Sequence, residues 1–275
     1  MHSIERLDIM IAYSCNIACA GCISLSDHKR DGVAPLEDIS KWITKWHNHI
    51  CPAVVTLFGG EPCLHPRLVE ICILVRQAWP DATIRLITNG YLLDNFDPNQ
   101  WFEFMPFEIQ VSLHRADHKE IIRKKIRHVL ECRAGWKFIQ HGGNAEHKQH
   151  EWRLGNFSIY RSVFKDFVVP YKFENNQIAQ WNSDPVEAHQ ICGSPATPIL
   201  YKGNLYKCPP VANVIDLTGN TLDYPVCDNP EKLAEFVRGI GCPEKVCGLC
   251  PTQSQAVVID HFDIKNVQVK QKNLS

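Results

Sequence analysis

Leu7-Asp8-Ile9-Met10-Ile11-Ala12-Tyr13-Ser14-Cys15-Asn16-Ile17-Ala18-Cys19-Ala20-Gly21-Cys22 is an apolar segment that runs straight into three cysteines. Leu7 to Tyr13 has the length and character of a buried strand. The Cys15-x3-Cys19-x2-Cys22 spacing then sets three thiols on one short loop after that strand. Three thiolates hold three corners of a metal cluster, whereas a tetrahedral zinc site or a fully protein-bound [4Fe–4S] cluster needs a fourth ligand. No further Cys or His follows until His28. A site left one ligand short is useful only if something else binds there, which points to a reactive cluster rather than a structural one.

Outward from this loop, apolar runs alternate with amphipathic segments. Helices are predicted over Pro35–Ile50, with Leu36, Ile39, Trp42, Ile43, Trp46 and Ile50 on one stripe, and over Arg67–Trp79 and Lys119–Arg133. Strands are predicted over Ala53–Phe58, Thr83–Thr88, Pro106–Leu113, Trp136–Gln140 and Phe164–Phe173. His141–Asn156 reads as a polar loop, with His141, His147 and His150 as a possible lid. With the first strand this makes six strands, repeated βαβ units and a parallel sheet. Six rather than eight predicts an α/β fold built as an incomplete, TIM-like (β/α)6 barrel, with functional loops at the strand C-termini. After about Asn182 the punctuation changes to Pro, Gly and Cys. A hairpin around Gly203-Asn204 and a helix over Glu231–Ile240 are expected there, giving a barrel over residues 1–185 and a small domain over 186–275.

The chain has 275 residues, 29 Lys plus Arg against 30 Asp plus Glu, 45 % hydrophobic and 21 % charged residues. That is ordinary globular composition, which excludes disorder and collagen-like repeats. A net charge of −1 gives no long-range pull toward nucleic acid or an anionic membrane. Met1–Tyr13 lacks a secretory signal, and the apolar runs fall far short of the ~20 residues of a membrane helix. A cytoplasmic location with reduced thiols is therefore expected, where clustering among 13 Cys means metal or redox chemistry rather than disulfides.

Several motifs in order resemble the radical S-adenosylmethionine (SAM) enzymes: Tyr13–Cys22, Phe58-Gly59-Gly60-Glu61-Pro62 after the second strand, Thr88-Asn89-Gly90 after the third and Val111-Ser112-Leu113 at the fourth. The resemblance implies that Cys15, Cys19 and Cys22 hold a [4Fe–4S] cluster whose open iron is chelated by SAM. One electron then cleaves the sulfonium, and a 5′-deoxyadenosyl radical takes hydrogen from substrate. It further implies that Gly59 and Gly60 let backbone approach the methionine moiety, that Glu61 accepts from its ammonium, and that Asn89 and Ser112 bond ribose or carboxylate. Gly21 stands where the family usually has an aromatic residue against the adenine, so that contact must come from elsewhere, with Ile23 and Tyr13 as candidates.

The remaining ten Cys form two groups. Cys51, Cys63, Cys72 and Cys132 lie in the barrel, mostly as packing residues, with Cys63 the one near the SAM stretch. Cys192, Cys208, Cys227, Cys242, Cys247 and Cys250 follow the order Cys, hairpin, Cys, helix, CxxC. That layout resembles the twitch domain, a reduced SPASM module, as in the aminocyclitol dehydrogenase type. The resemblance implies a second, auxiliary [4Fe–4S] cluster on Cys192, Cys208, Cys247 and Cys250. Zinc suits the same soft donors, and Cys242 is the rival ligand.

An auxiliary cluster provides an electron sink, so the expected reaction is hydrogen abstraction from a small polar or sugar-like molecule followed by oxidation of the substrate radical. His114 and Arg115, at the fourth strand's end, are the candidate substrate contacts. A one-electron donor such as flavodoxin or ferredoxin is the expected partner. With the first strand starting within about ten residues of Met1, an N-terminal leader-binding domain is not expected. The alternatives are radical modification of a peptide (crosslink, epimerisation or thioether, with Cys63 or Cys227 as thiol hydrogen donor) and a non-catalytic Fe–S or zinc scaffold.

Overall fold

The computed structural model describes residues 1–17, 19, 21–26, 28, 30–114, 118–131, 139–141, 148–162, 166–174, 177–219, 224, 226–256 and 258–260. The opening segment forms β1 (His2–Ala12), buried without interruption from Leu7 to Ala12. A strand covered on both faces in this way belongs in the middle of a parallel sheet. There follow α1 (Leu36–Trp46), β2 (Ile50–Gly59), α2 (Leu68–Ala78), β3 (Thr83–Thr88), α3 (Pro98–Glu103), β4 (Phe107–Ser112) and α4 (Lys119–Glu131). Next come β5 (Ile139–His141), β6 (Lys148–Leu154), β7 (Phe157–Ser162), β8 (Asp166–Val168), β9 (Lys172–Glu174) and β10 (Gln177–Ala179). The chain continues through α5 (Pro185–Gln190), β11 (Ile199–Tyr201), β12 (Asn204–Tyr206), α6 (Pro209–Thr218), α7 (Leu233–Gly239) and β13 (Val258–Asp260).

Nine strands form the main sheet in the order β12-β11-β1-β2-β3-β4-β7-β6-β5. β11, β1, β2, β3, β4 and β7 run parallel, with antiparallel β12 at one edge and β6 and β5 at the other. The expected α/β class and incomplete barrel are therefore present, and the first four strands and their helices fall close to where predicted, except that α1 ends at Trp46 and Ile50, expected on its stripe, opens β2. Ile39, Ile43 and Trp46 of α1 and Leu68, Ile71, Cys72 and Val75 of α2 supply the buried faces. Below β4 and β7, Phe107 and Phe157 sit in register and stack at 6.3 Å, with Trp101 of α3 stacked on Phe107 at 5.3 Å.

The last two parallel strands are not those predicted. The fifth is β7, just past the stretch read as a loop, and that stretch itself contains β6. The β6–β7 hairpin closes through Gly155-Asn156, with Gly155 at φ +55°. The sixth is β11, which joins β1 through Asp8↔Ile199 and Ile9↔Leu200. Of the expected Trp136–Gln140 strand, 136–138 lie outside the described residues and the rest belongs to the antiparallel edge strand β5. The expected Phe164–Phe173 strand divides between β8, paired with β13, and β9, paired with β10, while 164 and 165 lie outside the described residues. The C-terminal hairpin turns one residue early, at Lys202-Gly203, both with positive φ, and helix α6 was not anticipated. Its turn is fixed on α1: Trp46 Nε1 and Lys45 Nζ both donate to the Gly203 carbonyl, at 3.0 and 2.9 Å. Among the described residues no helix is long and apolar enough to cross a membrane.

Candidate active site

The cysteine loop is tied down at its start. Tyr13 and Ser14 N–H both donate to the Gly32 carbonyl at 3.0 Å, and Gly32 N–H donates to Ser14 Oγ at 2.8 Å. Gly60 N–H donates to Ala12 O at 2.9 Å and Glu61 N–H to Ser14 O at 3.0 Å, stapling the end of β2 to the loop. Cys19 is buried beside Ile17, and Cys15, Cys22 and Tyr91 pack against that pair. The three thiols expected to share a cluster are thus brought together. Burial pushes the Cys15 thiol up to about 12, and the nearby Glu61 charge adds to this.

The glycines serve a purpose the sequence reading did not assign. A Cβ on Gly59 would overlap the Ala12 carbonyl, and one on Gly60 would lie 2.6 Å from the Ser14 carbonyl carbon and 2.8 Å from Ser26 Oγ. They are needed because the end of β2 lies at backbone contact with the end of β1 and the start of the cysteine loop. Gly60→Ala is therefore expected to cost about 1–3 kcal/mol in urea unfolding and to lower iron uptake at the first loop. Unchanged values of both would refute this packing role.

Glu61 also has partners other than those expected. It is fully buried, and its carboxylate accepts from Cys63 N–H at 2.9 Å, Thr88 Oγ1 at 2.7 Å and Asn89 N–H at 2.8 Å. Burial pushes its pKa up, against those bonds. It joins the ends of β2 and β3 as an internal brace. Asn89 in turn donates from Nδ2 to Asn16 Oδ1 at 2.6 Å and approaches Cys15 Sγ at 3.8 Å, so its amide is engaged with the cysteine loop. Ser112 ends β4 in register with Ser162 of β7, and His114 lies two residues beyond, half-buried. Arg115 and His147 lie outside the described residues, and His141 and His150 fall in β5 and β6 rather than in a loop.

Cys192, Cys208, Cys247 and Cys250 all line one cavity of about 430 Å³. Cys192 follows α5, Cys208 is the N-cap of α6, and Cys247 and Cys250 lie in and after a 3-10 turn over Lys245–Leu249. That turn is docked by Trp181 N–H to Leu249 O and Ser183 N–H to Gly248 O. Three thiols accept backbone N–H groups: Cys192 from Ser194 and Cys247 from Glu244, both at 3.4 Å, and Cys208 from Val211. Burial pushes Cys208 up to about 12 and Cys250 well above its ordinary value, with the neighbouring thiols adding to both. Cys242 is exposed and off the cavity, while Cys227 is buried, bridged to Leu205 and donating to Asn229 O. Cys63 is buried with its thiol on Thr88, Cys51 is exposed rather than packed, and Cys132 lies outside the described residues.

Among the described residues no three His, Cys, Asp or Glu side chains converge as ligands of one metal ion; the four thiols surround a volume. Soft donors, N–H···S bonds and a cavity of that size fit a cluster. His189 lines the same cavity, and its Nε2 is buried without a hydrogen-bond partner, a polar atom that an occupant would satisfy.

Residues 9–133 match the Radical SAM superfamily. This stretch is a radical SAM domain. Its family uses a [4Fe–4S] cluster with SAM, and the matched stretch holds all three loop cysteines. GTP 3′,8-cyclase of Microcystis aeruginosa is 34 % identical over 122 residues, which are 42 % of this chain and 36 % of the cyclase. The chain thus spans about a third of that curated relative. BtrN in complex with AdoMet and 2-DOIA has the same overall fold, at 16 % identity, 92 % of this chain, 94 % of that one and a TM-score of 0.51.

Three residues around the cysteine loop escaped the sequence reading. Tyr91, directly after Thr88-Asn89-Gly90, is the aromatic packed on the cysteine loop, with its hydroxyl on His118 Nδ1. Of the two candidates for the adenine contact, Tyr13 sits edge-on to Tyr201 at 5.9 Å, and Ile23 lines the four-cysteine cavity. Arg30 is a buried cation that reaches from the radical SAM domain to the C-terminal half. It donates to Ser24 O (3.0 Å), Tyr201 OH (2.6 Å), Asp216 Oδ2 (3.0 Å) and Asn213 Oδ1. Asn213, itself fully buried, returns a bond to Ile23 O beside Cys22. A lone Arg in a polar loop carries no sequence signal for this role.

Proposed function

We propose that the chain is a radical SAM oxidoreductase acting on a small polar or sugar-like substrate, with Cys15, Cys19 and Cys22 holding the SAM-binding [4Fe–4S] cluster and Cys192, Cys208, Cys247 and Cys250 an auxiliary one. The observation that carries this is the assembly of two separate thiol groups, three on the loop after β1 and four around one cavity. Bound there, the first cluster with SAM supplies removal of a hydrogen atom from substrate, and the second accepts one further electron. Glu61 and Asn89 hold the cysteine loop in place, and Ser112, His114 and Arg115 contact SAM or substrate at the β4 end. The loss of one hydrogen atom, one electron and one proton leaves a product two mass units lighter. A flavodoxin- or ferredoxin-type donor in the cytoplasm completes the scheme.

The test is anaerobic reconstitution followed by SAM and dithionite. Formation of 5′-deoxyadenosine is expected, and its absence would overturn the reading. In Cys250→Ala, iron should fall by about four atoms per chain while 5′-deoxyadenosine persists and the lighter product is lost. Retained product would remove the auxiliary cluster from the reaction, and a modified peptide in place of a lighter small molecule would replace the substrate class.

A further inference from the structure

We propose that Lys207 sets the charge of the four-thiol cavity and so raises the reduction potential of the cluster held there, making it an electron acceptor. This rests on the reading of that cavity as a cluster site. Lys207 directly precedes Cys208 and lines the cavity, and its side chain is only 6 % exposed. Nζ donates to the carbonyls of Gly239 at 3.1 Å and Cys242 at 2.6 Å, which fix the ammonium beside the segment that carries Cys247. Glu244, whose carboxylate lies 3.4 Å from Nζ and is 32 % exposed, offsets part of that charge.

The consequence follows from charge arithmetic. A [4Fe–4S] cluster on four thiolates carries about −2 when oxidised and about −3 when reduced. A fixed cation at its wall favours the more negative state, and low-dielectric surroundings strengthen that preference. Most of the cavity lining is apolar, including Ile23, Val168, Pro170 and Val211. Lys207 is the one cationic Lys or Arg side chain on it among the described residues.

The experiment uses the full chain with Cys15, Cys19 and Cys22 all replaced by Ala, so that only the four-thiol site remains. After anaerobic reconstitution, iron is counted and the cluster is titrated by EPR at set potentials. Lys207→Met should lower the equilibrium constant for reduction by about tenfold, and Lys207→Arg should recover most of it. Glu244→Gln, which leaves the ammonium and both carbonyl bonds in place, should shift it the opposite way. Loss of a loop anchor alone would not produce shifts of opposite sign. Unchanged potentials with full iron would overturn the role of Lys207 and leave the cluster site standing. No cluster in the triple-alanine chain would overturn the site itself. Should Lys207→Met fail to hold iron, Glu244→Gln decides: a raised potential supports the proposal and an unmoved one overturns it.

Discussion

Cys15→Ala is expected to reduce 5′-deoxyadenosine formation by at least ~10³-fold and iron by about four atoms per chain, with the fold intact. Cys15 Sγ makes long contacts, 3.9 Å to Asn16 Oδ1 and 3.8 Å from Asn89 Nδ2, and accepts from the Ile17 N–H. Its loss leaves the 2.6 Å bond between those asparagines in place, so stability should change by less than about 1 kcal/mol. Cys51→Ala, at an exposed thiol on β2, is the matched control and should change neither quantity. Anaerobic iron assay and chromatography of the nucleoside product read the result. Wild-type product formation in Cys15→Ala would remove the cluster from the first loop.

Glu61→Ala is expected to be the most destabilising single change near the site, by about 3–5 kcal/mol. Two backbone N–H groups and the Thr88 hydroxyl would lose their acceptor in a fully buried place. Glu61→Gln keeps the shape. Its oxygen can serve Cys63 and Thr88, but its amide then faces the Asn89 N–H, donor against donor, at a cost of about 2 kcal/mol. Urea midpoints at constant m-value measure both. Because burial raises the Glu61 pKa above its ordinary 4.5, this ionisation contributes stability that is present below that value and lost as pH rises through the folded one. The gap between wild type and Glu61→Gln should narrow on going from acid to neutral pH. A gap independent of pH would show that Glu61 keeps an ordinary pKa.

The first half of the fold was legible because each strand announces itself twice. β1, β2 and β3 are apolar runs, and Cys, Gly-Gly and Asn-Gly stop them where the backbone must turn. β7 interleaves Ser158 and Arg161 with its apolar residues, and β6 opens with Lys148–Glu151, so neither reads as a sheet strand in isolation. β11 is three residues long and owes its place to a partner almost two hundred residues away. α6 begins Pro209-Pro210, which reads as punctuation although proline suits the first turn of a helix. At the site, the cysteine spacings picked out the loop after β1 and the Cys247–Cys250 pair, while the tertiary fold sets Cys192 and Cys208 on the same cavity as that pair. The destination of Glu61 was not legible, because a carboxylate's partners depend on which donors the tertiary fold leaves bare. The same holds for Gly59 and Gly60, whose neighbour is another strand rather than a ligand.

The reach of Arg30 into α6 and β11 limits how this architecture can be recombined. A chimera grafting another C-terminal module onto residues 1–185 would strand that guanidinium among apolar groups unless it also brought counterparts of Asn213, Tyr201 and Asp216. It would also bare the peptide edge of β1, which β11 now covers, and invite pairing with a neighbouring chain. The C-terminal part can be exchanged here only together with its latch.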